Sequence, residues 1–236
     1  MKILVIPDVH LKPHMFYRAS EIMKEQALEK CVCLMDLADD WNRQFNLELY
    51  SMTYDAAITF AKEYPDTLWC WGNHDICYIW DRRESGYSPA AAYLVRDKIH
   101  ELQSALTQPE RLAFIHRIDD VLFSHGGLAQ KFVDTRIKDA KHKTIDEIID
   151  EINRMGDIEL WNDMSPLWLR PQSGRIPLYK SDEYLQVVGH TPVRGISRMG
   201  SLVSADVFST YSSGENIGTC EYLIIDTKTK KLGSAK

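Results

Sequence analysis

Five short stretches of the chain carry side chains suited to holding a divalent cation or moving a proton. They are Pro7-Asp8-Val9-His10, Asp36-Leu37-Ala38-Asp39, Gly72-Asn73-His74-Asp75, Ser124-His125-Gly126-Gly127 and Gly189-His190-Thr191-Pro192. Carboxylate, imidazole and amide carbonyl are donors that hard-to-borderline divalent ions accept. Asp8 and His10 stand two residues apart, so an extended backbone points both to one side. Asp36 has two oxygens and can bridge two ions. The glycines beside Asn73, His125 and His190 are expected to let the backbone turn sharply and present those side chains. Singly, each stretch has an ordinary explanation. D-x-H recurs by chance, Asp36 or Asp39 can cap a helix, and Gly-Asn-His can be a plain turn. Five such stretches, each after an apolar run, are not explained as unrelated turns. Two cations about 3.5–4 Å apart can clamp the attacking and leaving oxygens of an in-line displacement at phosphorus. They also lower the pKa of a shared water. No Ser or Cys nucleophile is needed for that chemistry.

The elements that must position these residues are legible in the hydrophobic pattern. Residues 2–6 (KILVI) read as a buried strand that stops at Pro7. From Met15 to Leu28, Phe16, Ala19, Ile22, Met23 and Ala27 recur at helical spacing. Cys31–Leu37 reads as a strand, Met52 to Tyr64 as a helix and Thr67–Trp71 as a strand. This β-α-β-α-β order predicts a largely parallel sheet. Loops beyond strand C-termini are where such sheets place ligands, so the five polar stretches can converge on one rim. Farther on, Ala90–Leu106 reads as a helix. Arg111–Arg117 and Val121–Ser124 flank Asp119-Asp120 as a hairpin. Ile145, Ile148, Ile149 and Ile152 mark an amphipathic helix. Leu185–Gly189, Ile196–Arg198, Leu202–Val207 and Glu221–Asp226 read as short strands. Strands at both ends with helices between predict two sheets packed face to face with helices outside, in a single domain over residues 1–236.

Composition narrows the function classes. The chain has 236 residues, 44% hydrophobic and 26% charged, in the range of ordinary globular proteins. Its 28 Lys+Arg against 34 Asp+Glu give a net charge of −6, which argues against broad attraction to nucleic acid or anionic lipid. No apolar run reaches the roughly 18 residues of a membrane helix. Ile3–Ile6 is too short for the core of a secretory signal. The five cysteines are odd in number and form no C-x-x-C pair, so a reducing cytoplasm is the expected compartment.

In order and spacing, Asp8-x-His10, Asp36-x-x-Asp39, Gly72-Asn73-His74-Asp75, His125-Gly126-Gly127 and Gly189-His190-Thr191 resemble the calcineurin-like metallophosphoesterases. That family carries D-x-H, G-D-x-x-D, G-N-H-[DE], H-[AG]-G and G-H-T, and the resemblance spans residues 8 to 191. It is nearest to the branch of bacterial and phage Ser/Thr protein phosphatases and symmetrical diadenosine tetraphosphatases. Ser165-Pro166-Leu167-Trp168-Leu169-Arg170 resembles the W-x-R segment of that branch. The resemblance implies a four-layer α/β/β/α sandwich of two mixed sheets and two divalent metal ions (Mn, Fe, Zn or similar). It implies that Asp8, His10 and Asp36 hold the first ion, and that Asp36, Asn73, His125 and His190 hold the second. It further implies that His74 is the general acid, oriented by Asp39, and Arg170 a phosphate clamp. A histidine beside a carboxylate suits that role, since it stays protonated until the alkoxide departs.

Three departures from the pattern carry consequences. Met35 replaces the glycine of G-D-x-x-D. Asp40 stands where the phosphatase branch has a phosphate-binding arginine, a reversal that should weaken phosphate binding by about a few kcal/mol unless Arg43, Arg82 or Arg83 compensates. Pro192 replaces the last histidine of G-H-T-H, which argues against the nuclease-like phosphodiesterase branches. The expected activity is hydrolysis of a phosphate ester or anhydride in a phosphoprotein, nucleotide or small molecule, with a Ser/Thr protein phosphatase as the first reading. The alternatives are a diadenosine polyphosphate or nucleotide hydrolase, and a catalytically silent binding module on the same fold. Trp41 and Trp168, which flank these segments, are candidates to stack a nucleobase. Trp69 and Trp71 are expected in the core. His14, His100, His116 and His142 are expected at the surface or in packing. No oligomeric state is assigned.

Overall fold

The computed structural model describes residues 1–236, and its first half alternates strand and helix. β1 (Lys2–Ile6), β2 (Lys30–Cys33), β3 (Leu68–Cys70) and β4 (Leu112–Ala113) lie parallel, joined through α1 (His14–Glu25), α2 (Leu47–Glu63), α3 (Asn73–Trp80) and α4 (Ala92–Ala105). On the other side of β1 lie β10 (Tyr222–Asp226) and β11 (Lys231–Ala235), both antiparallel to their neighbours. The second sheet has the order β5-β6-β7-β9-β8. It contains β5 (Ile115–Ile118), β6 (Val121–Ser124), β7 (Leu185–Val188), β8 (Ser197–Met199) and β9 (Leu202–Ser204). Here β6, β7 and β9 are parallel, and the two edge strands are antiparallel. The crossover from β6 to β7 carries α5 (Gln130–Arg136), α6 (Ile145–Asn153) and α7 (Asp157–Leu160).

The two faces of β1 explain why its sequence is apolar at every position after Lys2. Ile3 and Val5 enter a cluster of 13 buried residues shared with Val32, Leu223 and Ile225 of the first sheet and with Phe123, Val187 and Val203 of the second. Leu4 and Ile6 face the other way, into a 52-residue cluster with Phe16, Ile22, Tyr54 and Phe60 of the covering helices. A parallel strand buried on both faces needs this continuous apolar run. The sheets therefore pack face to face with helices outside, the expected α/β/β/α arrangement. α6 shows its predicted stripe, with all four isoleucines buried and a capping box between Thr144 and Glu147 at its start. No helix of the chain is long and apolar enough to cross a membrane.

Three local expectations differ. The run Arg111–Arg117 is not one strand: Leu112–Ala113 pairs with β3, and Ile115 opens the second sheet. Asn153 holds this change of sheet. Its Oδ1 accepts from Phe114 N and Ile115 N (3.0 Å each), and its Nδ2 donates to Ile115 O at 2.9 Å. Residues after Gly72 form a helix rather than a loop, and Lys231–Ala235 forms an edge strand whose polar sequence gives no apolar signal.

Candidate metal centre

The ends of β1, β2, β3, β6 and β7 open onto one rim, where the backbone brings their loops together. His10 N donates to Asp36 O at 2.7 Å, Leu11 N to Leu37 O at 3.0 Å, and Gly189 N to His125 O at 2.9 Å. Asp8, Asp36, Asn73, His125 and His190 are all buried. Two groups result, Asp8–His10–Asp36 and Asp36–His125–His190, each with donor atoms within 4.8 Å of one another. Asp36 is the shared corner: its Oδ2 lies 3.1 Å from His125 Nε2 and 3.8 Å from His10 Nε2. Its Oδ1 accepts from His74 N at 2.9 Å.

Second partners fix the orientation of the histidine rings. His10 Nδ1 donates to Asp39 O at 2.8 Å and His125 Nδ1 to Leu34 O at 2.9 Å, which turns both Nε2 atoms inward. Around His125 Nε2 lie Asn73 Oδ1 at 2.9 Å, His190 Nδ1 at 3.2 Å and Asp36 Oδ2. Four lone-pair atoms facing one point repel unless a proton or a cation sits among them. Asp8 Oδ2 and His190 Nε2 are buried without any hydrogen-bond partner. The residues thus fit divalent cations in number, donor type and burial.

Charge reports the same pressure. Burial pushes the Asp8 carboxyl well up, and Asp206 adds to it. Burial also opposes ionisation of Asp36, but His125, His74 and His10 hold it well below the usual carboxylate range. Burial draws His125 down, yet Asp36 and Asp8 outweigh it and push it up to about 9.

His74 begins the last layer. Its Nδ1 lies 3.1 Å from Asp39 Oδ2, while Asp39 Oδ1 accepts from Tyr50 and Tyr78 at 2.6 Å each. Ser88 N donates to the Tyr78 oxygen at 2.8 Å. Burial lowers His74, but Asp36, the bond to Asp39 and Glu84 override it and raise it to about 10. Glu84 itself is pushed up to about 7 by burial and Asp36, against the pull of His74. Asp75, by contrast, is structural: it accepts from Leu37 N, Ala38 N and the Tyr54 hydroxyl and so caps the loop after β2.

The glycines have a different reason from the expected turn. Gly72 has φ −89°, and Gly189 is not among the left-handed glycines. A Cβ on Gly72 would lie 2.1 Å from Asp36 Oδ1, and one on Gly189 would lie 2.0 Å from Asp8 Oδ2. They allow close approach of the Asp36 and Asp8 carboxylates. In the His125 motif Gly127 does turn (φ 114°), and the other positive-φ positions of the motifs are His10 (42°), Met35 (60°), Asp36 (44°), Asp39 (60°) and His190 (61°). Outside glycine such conformations cost about 1–3 kcal/mol each and persist where surrounding contacts over-determine them. The glycine of the related motif falls at Met35, whose side chain is fully buried here.

A cleft of about 440 Å³ opens over the centre, lined among others by His74, Arg170, Trp41 and Tyr211. Arg170 Nη1 donates to His190 O at 2.7 Å and to Thr191 Oγ1 at 3.2 Å, which anchors the guanidinium at the rim. It is the one Lys or Arg lining the cleft, against Asp36, Asp39, Asp40 and Asp206. None of Arg43, Arg82 and Arg83 lines the cleft: Arg82 pairs with Asp157 at 2.8 Å, and Arg43 lines a neighbouring depression that Asp40 shares. Asp40 instead meets Lys12 at 3.6 Å and accepts from Thr210 Oγ1 at 3.2 Å. Trp41 is 57% exposed, its indole N–H donating to Thr210 O at 2.9 Å. Trp168 does not line the cleft. It packs edge-on against His190 (centroids 5.6 Å apart) in a row with Trp161 (4.9 Å) and, beyond it, Trp80 (6.3 Å). Trp69 and Trp71 are buried, as expected of core residues. His116 is buried in packing, donating Nε2–H to Trp69 O at 3.0 Å.

Sequence reasoning missed Glu84, Tyr50, Tyr78 and Asp206. Asp206 carried a usable signal, since it too follows an apolar strand at this rim. The tyrosines stand outside every motif, and Glu84 lies in a segment without periodicity.

No curated protein matches the chain by sequence. Among solved structures it is similar to a cold-active protein tyrosine phosphatase, with 16% identity, TM-score 0.59 and coverage of 99% of this chain and 78% of that one. A second structure, of the cold-active protein-tyrosine phosphatase of a psychrophilic Shewanella species, has 15% identity and TM-score 0.56 over 100% and 80% of the two chains. A hypothetical protein of Pyrococcus horikoshii has 10% identity and TM-score 0.51 over 100% and 87%. At these identities the likeness is one of fold. The sequence profile of the calcineurin-like phosphoesterases matches residues 1–215, and with that match the chain belongs to this family of metal-dependent phosphoester hydrolases.

Proposed function

We propose that the protein is a dinuclear phosphatase that hydrolyses phosphomonoesters on protein side chains, with Ser/Thr phosphopeptides as first substrates. Asp8, His10 and Asp36 would hold one divalent cation, and Asp36, Asn73, His125 and His190 would hold the other. When bound, the cations supply positive charge to the phosphoryl oxygens and acidify a water near neutral pH. His74 donates a proton from Nε2 to the departing oxygen, while Asp39 holds Nδ1. Two tyrosine hydroxyls keep Asp39 in place. Arg170, tethered to His190 and Thr191, steadies a phosphoryl oxygen with its remaining donors. The intact His74–Asp39 pair supports an enzyme over a silent binding module.

The observation that carries the substrate reading is the charge of the cleft. One arginine lines the cleft with four aspartates, of which Asp36 is taken up by the cations and Asp39 by His74 in this reading. Asp40, offset by Lys12 at 3.6 Å but by no cation lining the cleft, and Asp206 disfavour a substrate with several phosphates. The half-exposed Trp41 favours the second reading, a dinucleoside polyphosphate or nucleotide hydrolase, because its ring face can stack a base. Five unpaired cysteines, four of them buried, support a reducing compartment such as the cytoplasm. The test is hydrolysis of phosphoserine, phosphothreonine and phosphotyrosine peptides against diadenosine tetraphosphate, each with added Mn²⁺, Fe²⁺ or Zn²⁺. Faster turnover of the tetraphosphate than of every peptide would refute the first reading.

A further inference from the structure

Glu84 lies in the connection between α3 and α4, outside every motif of the sequence. Its side chain is 7% exposed, and both its oxygens approach Asn73 Nδ2, at 3.0 and 2.8 Å. Its distance to His74 Nδ1 is 3.8 Å, beyond a hydrogen bond, and Asp39 already occupies that nitrogen. We propose that Glu84 is a positioning residue for the second cation, fixing which end of the Asn73 amide faces the centre. A primary amide has a donor end and an acceptor end, and both Glu84 oxygens meet one and the same amide atom, as two acceptors sharing a donor do. Nδ2 therefore turns to Glu84, and Oδ1 turns to the corner shared with His125 Nε2, Asp36 and His190. Without Glu84 the amide can rotate by half a turn and present Nδ2, which has no lone pair to offer a cation. Removing such an outer partner costs roughly 10–100-fold in metal affinity.

The inference rests on the two-ion reading above. The test is Mn²⁺ titration of the metal-free full-length chain, read by bound-metal analysis and by the electron paramagnetic resonance signal of a coupled manganese pair. Wild type is expected to bind two ions. Glu84→Ala is expected to bind the first with unchanged affinity and the second about 10–100-fold more weakly, losing the coupled signal at limiting metal. A reversal pair isolates the donor–acceptor logic. Asn73→Asp alone sets two carboxylates against each other and should weaken the second ion. Adding Glu84→Gln supplies a donor to the outer oxygen and should restore most of that loss, a non-additivity that a space-filling role would not produce. If wild type binds fewer than two ions, the two-ion reading fails. If wild type and Glu84→Ala both bind two with equal affinities, only the positioning role is overturned. Should Glu84→Ala fail to fold, the reversal pair decides: restoration upholds the role and its absence overturns it.

Discussion

Replacing Gly189 by alanine tests whether the buried carboxylates are held where a cation needs them. The new Cβ would sit 2.0 Å from Asp8 Oδ2, whereas ordinary contacts begin at 3.4 Å, so the oxygen must retreat by about 1.4 Å. The backbone cannot easily yield instead. Gly189 N is bonded to His125 O at 2.9 Å, and His190 N to Asp8 Oδ1 at 2.7 Å. Ligand distances at metal sites hold to about 0.2 Å, so the displacement is several times what coordination tolerates. A misplacement of about 1 Å costs on the order of 100-fold in rate. Gly189→Ala is therefore expected to fold, to bind the first cation weakly and to hydrolyse an aryl phosphate about 100-fold more slowly. Gly200→Ala is the control: φ is +60°, but nothing lies within 4 Å of the added Cβ. It should lose about 1 kcal/mol of stability and no activity. Metal stoichiometry, steady-state rates and urea midpoints for the pair decide the matter. Gly189→Ala with two bound ions and activity within about threefold of wild type, against the 100-fold expected, would refute the ligand geometry.

His74→Ala is expected to lower kcat by about 10²–10⁴ with the urea midpoint nearly unchanged, as fits loss of a general acid; full activity would exclude that role. Asp40→Asn removes rim charge and is expected to raise kcat/KM for diadenosine tetraphosphate by about three- to tenfold, with little change for a phosphopeptide; equal changes for both would refute a selective effect. His116, drawn down to about 4 chiefly by burial, gives a pH dependence away from the centre. Between its ordinary value of 6.5 and about 4 the unfolded chain binds the extra proton. Stability should therefore be complete above pH 6.5 and fall on acidification by on the order of 2–3 kcal/mol. His116→Gln, compared by urea unfolding at several pH values, should flatten that slope.

Much of the centre was readable before any fold was known because parallel strands announce themselves. Continuous apolar runs buried on both faces ended at Ile6, Cys33, Cys70 and Val188, and the polar residues that follow had only one rim to occupy. The less legible parts have particular causes. The chain leaves one sheet for the other at Phe114 because Asn153, 39 residues away, satisfies its N–H group. Nothing in Arg111–Arg117 itself marks that exchange. Trp41 and Trp168 looked alike beside their motifs, yet one is pinned at the cleft by Thr210 and the other is packed behind His190. Close approach at Gly72 and Gly189 depends on carboxylates more than 30 positions distant, so local reasoning ascribed those glycines to turns. Tyr50 and Tyr78 carry helical spacing and high burial, and only their hydroxyls betray a second task.

The row of indoles behind His190 has an optical consequence. Trp168 lies edge-on to a histidine of the second cation group, and Trp161 and Trp80 continue the row away from it. Ultraviolet emission from these rings should respond when a paramagnetic ion such as Mn²⁺ settles beside them, because unpaired electrons drain excited states at short range. On the two-ion reading, dimming of this emission would report the second ion arriving, without any dye or turnover.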